Sequence, residues 1–401
     1  MSRPIKHGTS HASLLHDVSA ITTTPKARSR LDAIVVPAAR PASALQDVIT
    51  LSIELSVPLV ILCSRQAQLE QVVARVENVE KNFGAKALVV EVPENYRPPC
   101  DPPLTSGPEF RDVSAGRSSD LSAKRNIGLL LGRMRGWNKI LFVDDDISRF
   151  NRRDVERLTG YLDRYPVASM VSREFPDNSV VCHARRLAGF KQDVFVSGAA
   201  LGVNLKHPEL SFFADVYNED WFFFARQAAN RSLPKIGEVR QLAYEPFADQ
   251  GRADREEFGD LLAEGLYGLF ETTPNWSFKD QLAAATVKSH WRNFATDRLE
   301  FIQQTLDALD RAQMSASPAN YLDMLNAQAS LLIAAKRASG ITPDLCVDFI
   351  EKWQEDEVRW RQMLRRFPSS MTERDALAEL QLPTWASCGY GQLAGVVAGT
   401  A

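Results

Sequence analysis

Three consecutive aspartates, Asp144, Asp145 and Asp146, follow the apolar run Lys139-Ile140-Leu141-Phe142-Val143. Two carboxylates ~4 Å apart repel by roughly 4 kcal/mol at an effective dielectric near 20, so such a cluster needs a counter-charge. A hard divalent cation that also carries phosphates meets that need with oxygen ligands alone. The preceding residues, β-branched and large apolar, read as a buried strand. The carboxylates then stand at a strand end, where open α/β sheets hold ligands. Along an extended backbone Asp144 and Asp146 share a face and Asp145 takes the other, which suits a metal bridge to a nucleotide diphosphate. Aspartates also cap helices and open turns, and Arg149, Arg152 and Arg153 lie near enough in sequence to pair with them.

Two further groups could join that chemistry. Lys124-Arg125-Asn126-Ile127-Gly128 precedes the acidic strand, with Asn126 and Asp144 eighteen residues apart, the length of one helix plus one strand. An arginine there binds phosphate or base edges, the asparagine holds a loop or a ribose, and the glycine lets a helix pack closely. Downstream, Asn218 reads as the cap of a helix from Glu219 to Ala229, with Glu219 and Asp220 in its first turn. Carboxylates at that position are also favoured simply by the helix dipole, which would lower the pKa of Asp220 and weaken it as a base.

The elements that must position these groups follow from periodicity. Ala33 to Val36, Leu59 to Cys63 and Ala87 to Val92 read as strands, separated by helical segments from Ala42 to Ser56 and Gln66 to Asn82. This β-α-β-α-β opening predicts a parallel sheet with right-handed crossovers. Pro93 to Gly116 carries six prolines and reads as a long loop. Ser122 to Arg135 is expected as a helix, Arg153 to Arg164 as another, and Val167 to Ser172 as a strand. Ser179 to Ala188 reads as a strand or edge hairpin. Gln241 to Phe247 and Glu256 to Asp260 read as a strand followed by a capped helix, with no role assigned. Beyond Asn275 the spacing is helical through Leu299 to Leu309, Tyr321 to Ala335 and Leu345 to Leu364.

With 401 residues and 45% hydrophobic content, the chain can bury a sizeable core and exceeds the usual single-domain size. Its 47 basic and 50 acidic residues, net charge −3, give no general attraction for nucleic acid or anionic membrane. Five scattered cysteines without a Cys-x-x-Cys pair indicate neither a disulfide framework nor a structural zinc, and a reducing compartment, the cytoplasm, fits. No transmembrane run is present, although an amphipathic helix could still touch a membrane.

The ordered set Arg125-Asn126-Ile127-Gly128, an apolar strand, Asp144-Asp145-Asp146, then Gly198-Ala199-Ala200 and Asn218-Glu219-Asp220-Trp221 resembles the inverting glycosyltransferases of family 2 and their GT-A relatives. The resemblance covers roughly residues 31 to 250. It implies a GT-A-like α/β fold, a mostly parallel central sheet flanked by helices with a Rossmann-like nucleotide-binding half and an added C-terminal helical region. The expected organisation is a flexible tail over 1–30, the glycosyltransferase domain over 31–275, a helical subdomain over 276–385 and a loose tail over 386–401.

Position by position, the resemblance implies that Asp144 or Asp145 holds the ribose and that Asp146, with Asp144, ligates Mn2+ or Mg2+. Pro37, Ala38, Ala39 and Arg40 after the first strand would line the site of a nucleotide-diphosphate sugar, together with Arg125 and Asn126, and Gly198 and Ala199 would lie under the donor sugar. Asp220 would be the general base toward an acceptor hydroxyl, with Glu219 its nearest rival, and Trp221 a wall of the acceptor site. The acceptor itself, whether glycan, lipid-linked, small molecule or protein, is left open.

The chain departs from the family pattern at three places. Cys63-Ser64-Arg65 replaces the acid that reads uracil after the second strand. The histidine that often supplies a third metal ligand has no counterpart between Trp221 and Ser289, leaving His290 after the base and His183 and His207 before it. The 93–116 segment is long enough to be an acceptor or lid element. Competing readings are a retaining glycosyltransferase or a sugar nucleotidyltransferase on a similar fold, the latter disfavoured by the absence of glycine in Val36-Pro37-Ala38-Ala39-Arg40. A reading of another class is a non-catalytic nucleotide-sugar-binding or scaffolding protein.

Overall fold

A computed structural model describes residues 11–18, 25–99, 101–117, 119–173, 179–191, 195–314 and 317–389. The strands are β1 (Leu15–Asp17), β2 (Ala33–Ala38), β3 (Leu59–Cys63), β4 (Ala87–Glu91), β5 (Lys139–Val143), β6 (Ile147–Ser148), β7 (Val167–Arg173), β8 (Ala200–Asn204), β9 (Leu233–Gln241) and β10 (Trp385–Cys388). They form a mixed sheet in the order β1-β9-β7-β8-β5-β2-β3-β4-β10, with β6 pairing β9. The helices of its first half are α1 (Gln46–Leu55), α2 (Leu69–Phe83), α3 (Pro108–Val113), α4 (Leu121–Arg135), α5 (Arg152–Tyr161) and α6 (Val180–Leu187). The second half adds α7 (Glu219–Phe223), α8 (Ala225–Ala229), α9 (Gly251–Thr272), α10 (Phe278–Ala285), α11 (Lys288–Gln313), α12 (Pro318–Gly340), α13 (Pro343–Arg366) and α14 (Glu373–Glu379).

The centre of the sheet follows from continuous apolar strands. β3 and β5 are buried at every residue, as parallel strands covered on both faces must be. β2 alternates between two cores. Val35 packs toward α4, while Ile34, Val36 and Ala38 join the core with α1, α2 and α5. β2, β3 and β4 run parallel in one direction along the sheet and β5 is parallel to β2 on its other side. The strand order therefore reverses between β2 and β5, and a ligand crevice is expected outside their carboxyl ends. Antiparallel β8 separates β5 from β7.

Helix α4 lies unusually close over this point because Gly128 has no side chain. A Cβ there would meet Phe142 at 2.8 Å and Val35 at 2.9 Å. That close approach carries Lys124 and Arg125, at the start of the helix, to the sheet's central strand ends.

Several expectations need correction. Val180 to Leu187 is a helix rather than a strand or hairpin. Its Ser179 hydroxyl accepts the Cys182 N–H, and Val180, Val181 and Ala184 pack against α9, α11 and α12, so helical spacing and a cap outweigh the β-branched start. The 93–116 stretch contains α3 and a short turn of helix at Leu104–Ser106. Asp356 on α13 accepts the N–H groups of Leu104 and Thr105 at 2.8 and 2.9 Å and the Thr105 hydroxyl at 2.9 Å, which ties this segment to the helical region. The helix expected from Glu219 to Ala229 is broken at Phe224 into α7 and α8.

Both terminal stretches read as tails contribute strands. Leu15–Asp17 pairs parallel with β9, and Trp385–Cys388 pairs antiparallel with β4. Residues 1–10, 19–24 and 390–401 lie outside the described residues. The C-terminal helices share the main core, with Phe349 and Trp353 of α13 meeting Phe222 at 5.4 and 5.2 Å between ring centroids. Each buried side chain of this kind contributes about 2–3 kcal/mol of transfer free energy. Among the described residues no helix is long and apolar enough to cross a membrane, and Cys63, Cys182, Cys346 and Cys388 are free thiols.

Candidate functional site

The acidic run does not continue β5 as a strand. It turns, with the Ile147 N–H bonding back to the Asp144 carbonyl at 3.2 Å. Strand alternation therefore fails here, and the aspartates divide otherwise than expected. Asp145 accepts the backbone N–H groups of Ala39 and Arg40 at 2.6 and 2.8 Å, and its other oxygen accepts from the Arg40 guanidinium. The same guanidinium donates to Asp146 at 2.9 Å. Asp144 turns instead to Arg125, whose Nη2 lies 2.9 Å from both carboxylate oxygens. The counter-charges come from Arg40 and Arg125, far upstream, rather than from Arg149, Arg152 or Arg153. Asp145 holds the β2 loop shut while Arg40, 44% exposed, covers the crevice.

Arg125 is the node of the site. Buried at the start of α4, it donates to Glu219 at 2.7 Å through Nη1 and sits over the Phe213 ring at 5.4 Å. Burial alone would lower the pKa of this guanidinium, but Asp144, Glu219 and Asp220 outweigh it and raise it further. Burial also pushes the Asp144 carboxyl above its usual range, against the pull of Arg125. Gly198 packs directly against this node, since a Cβ there would lie 2.5 Å from Arg125 Nη1.

Across Gly198 the chain of contacts reaches Asp220. Its carboxylate accepts the Gly198 N–H at 2.5 Å and the Trp221 N–H at 2.9 Å, so it is oriented. Asn218 adopts a left-handed conformation and makes no side-chain cap to the helix. Its amide donates to Asp260 at 3.1 Å instead. Glu219 bridges Arg125 and Arg117, the latter at 3.5 Å. Trp221, half-buried, packs at 4.4 Å on Tyr267 and edge-on to His11 at 5.1 Å.

The other expected residues are placed as follows. Asn126 spends its side chain on the Phe213 backbone, donating to the carbonyl at 2.8 Å and accepting the N–H at 2.9 Å. Pro37 is buried within β2, and Ala199 accepts the Asp144 N–H through its carbonyl at 3.0 Å. The histidines keep other company. His183 bonds Tyr244 at 3.0 Å, His290 packs against Trp291 and Phe294, and His207 accepts the Glu209 N–H.

Two residues without an assigned role in the sequence also reach this crevice. Lys124 donates to the Ala38 carbonyl at 2.7 Å and to the Ser64 hydroxyl at 2.6 Å, and pairs with Asp120 at 3.2 Å, fastening the ends of β2 and β3 to α4. Its place opening the Arg125 helix was the available signal. Gln241, at the end of β9, donates to Asp146 at 3.2 Å, and only the fold brings it there.

Five carboxylates, Asp144, Asp145, Asp146, Glu219 and Asp220, thus face Arg40 and Arg125 with Arg117 at the margin. The set keeps a negative excess, and the buried Oε1 of Gln241 beside it has no hydrogen-bond partner. Both features fit a hard cation. Among the described residues no group of three or more Asp, Glu, His or Cys side chains is arranged to hold a metal ion. A cation here would take one or two carboxylates and complete its shell from substrate phosphates and water, the usual habit of Mg2+.

No protein-family model matches the sequence, and no curated protein matches it. Among solved structures, the chain is similar to a mannosyltransferase from Pyrobaculum calidifontis in complex with GDP-Man and Mn2+. The TM-score is 0.39 and the identity 11%, over 84% of this chain and 90% of that one.

Proposed function

We propose that the chain is a metal-dependent glycosyltransferase of the inverting GT-A type, moving a sugar from a nucleotide-diphosphate sugar to an acceptor hydroxyl. The observation that carries the proposal is the continuous set of contacts from Asp144 through Arg125 to Glu219, with Gly198 packed on Arg125 and bonded to Asp220. It joins an acidic, cation-compatible group at the β2/β5 switch point to a second carboxylate fixed across the crevice. Transfer needs both parts, charge neutralisation for a leaving diphosphate and a base for a weakly nucleophilic hydroxyl.

In this reading Asp146, with Asp144, holds Mn2+ or Mg2+, which when bound neutralises the diphosphate. Arg40 leaves Asp145 and Asp146 as donor enters and turns its guanidinium to phosphate. Asp145, bonded to the β2 loop, shapes the ribose end of the site. Gly198 and Ala199 lie under the sugar, with the Arg125 guanidinium packed against Gly198. Asp220 takes the proton of the acceptor hydroxyl as its oxygen forms the new bond to the anomeric carbon, while the bond from that carbon to the diphosphate oxygen breaks on the opposite face. Trp221 offers a ring face to the acceptor.

Donor-hydrolysis and transfer assays with UDP-, GDP- and dTDP-sugars in Mn2+ test the proposal. Turnover of one donor with inverted anomeric configuration by NMR is expected. Inactivity throughout, with no nucleotide binding by calorimetry, would sink it.

A further inference from the structure

The segment that joins β4 to α4 turns back on itself after α3. Ala115 and Gly116 both take positive φ, 50° and 64°, and the Gly116 N–H returns to the Arg111 carbonyl at 2.9 Å. That reversal brings Arg117 and Arg111 to the wall of one small cleft, which Ser106, Ser114 and Asp215 also line. Its floor takes about one water-sized atom, and its mouth is open.

Arg117 is the unusual member of this wall. Its side chain is 12% exposed, yet its buried Nη1 makes no hydrogen bond. Its carboxylate neighbours stand off, Asp215 at 3.7 Å from Nη1 and Glu219 at 3.5 Å from Nη2. Both distances exceed a good N–H···O bond, whereas Arg125 and Arg298 meet their carboxylates at 2.6 to 2.9 Å. A buried donor without an acceptor is costly, and a guanidinium fork matches the oxygens of a carboxylate or phosphate. Glu219 is already held by Arg125 at 2.7 Å, and Asp215 has 37% of its side chain in solvent, free to swing aside. Arg111, exposed on the same wall, adds a second positive charge.

We propose that this cleft receives an oxyanion, a carboxylate or a phosphate group, borne by the acceptor. One oxygen enters the floor against Arg117 Nη1 in place of Asp215, and the rest of the group stays in the mouth. Glu219 links Arg117 to Arg125 and adjoins Asp220, so the anion lies toward the base and apart from Arg40 with Asp145 and Asp146. Assignment of the anion to the acceptor rests on the transfer reading above; anion binding itself does not.

The test titrates the full chain with inorganic phosphate and with acetate, followed by broadening of their 31P and 1H NMR lines, with circular dichroism melts checking each variant's fold. At least one probe should bind with a Kd below about 10 mM. Arg117→Gln should weaken it about tenfold or more, Arg117→Lys less, and Arg40→Gln should leave it unchanged. Tighter phosphate binding supports a phosphorylated acceptor, and tighter acetate binding a carboxylate-bearing one. If neither probe binds, or if Arg40→Gln abolishes binding and Arg117→Gln does not, the inference falls. The transfer reading is then judged separately by calorimetry with UDP and GDP in Mn2+, which does not involve the cleft. Should Arg117→Gln fail to fold, Arg111→Gln decides, with severalfold weaker binding in support and native binding against.

Discussion

Two buried ionic groups, built from the same residue types, behave differently. Around Arg298 the group is closed. Its Nε and Nη2 each lie 2.8 Å from one oxygen of Glu257, Nη2 reaches Asp260 at 2.6 Å, and arginine and glutamate are 0% and 1% exposed. Around Asp144 to Asp146 the group is open. Its counter-charge Arg40 has almost half its side chain in solvent, whereas Arg298 has none there. A closed group fixes α9 against α11 and offers nothing to a ligand. An open group with a solvent-exposed, displaceable partner has room for a guest. Charge burial alone does not mark a site; incomplete pairing does.

The contrast can be broken by experiment. Asp220→Asn should lower transfer about 10²–10⁴-fold while donor binding by calorimetry stays at the native value; comparable loss of donor binding would move Asp220 to the binding side. Arg298→Met should cost about 3–5 kcal/mol in denaturant unfolding, because it strands two buried carboxylates, whereas Arg40→Gln should cost about 1–2 kcal/mol, because Asp145 keeps two backbone donors and the glutamine can still donate. Equal costs would erase the distinction between closed and open groups. Asp146→Asn should weaken Mn2+-dependent donor binding about 10–100-fold by calorimetry.

The smallest effect concerns a third group, also closed. His11 lies 2.9 Å from Glu264 and 3.2 Å from Glu271. Burial alone would lower its pKa, but the two glutamates raise it to about 10. A histidine protonated more readily folded than unfolded adds stability below about pH 6.5 and loses it as pH climbs through about 10. The melting temperatures of the native chain and His11→Gln should therefore differ at pH 6 and converge toward pH 10. A gap that widens with pH would show that His11 is neutral in its pocket.

What could be read from the sequence was local. Leu59–Cys63 and Lys139–Val143 stand as expected because uninterrupted apolar runs between turn residues have one reading in an α/β chain. Val180 to Leu187 misled because Val180-Val181 carries strand propensity, and the packing that makes it a helix is supplied by α9, α11 and α12. Within the site, Arg125, the aspartates and Asp220 were visible through their order. Their counter-charge was not, since Arg40 meets Asp145 across 105 positions of chain. Gln241 was likewise silent, because only the pairing of β9 with β6 sets it beside Asp146.

β1 and β10 close opposite margins of the sheet. An uncovered margin is a row of unpaired amides and carbonyls on which a second chain can grow a strand. During synthesis β4 is made early, yet its outer margin waits for residues 385–388. A chain ended before Trp385 should scatter light as aggregates form, with the crevice residues all still present. β10 is thus a seal on the margin of β4, brought to it from nearly three hundred positions along the chain.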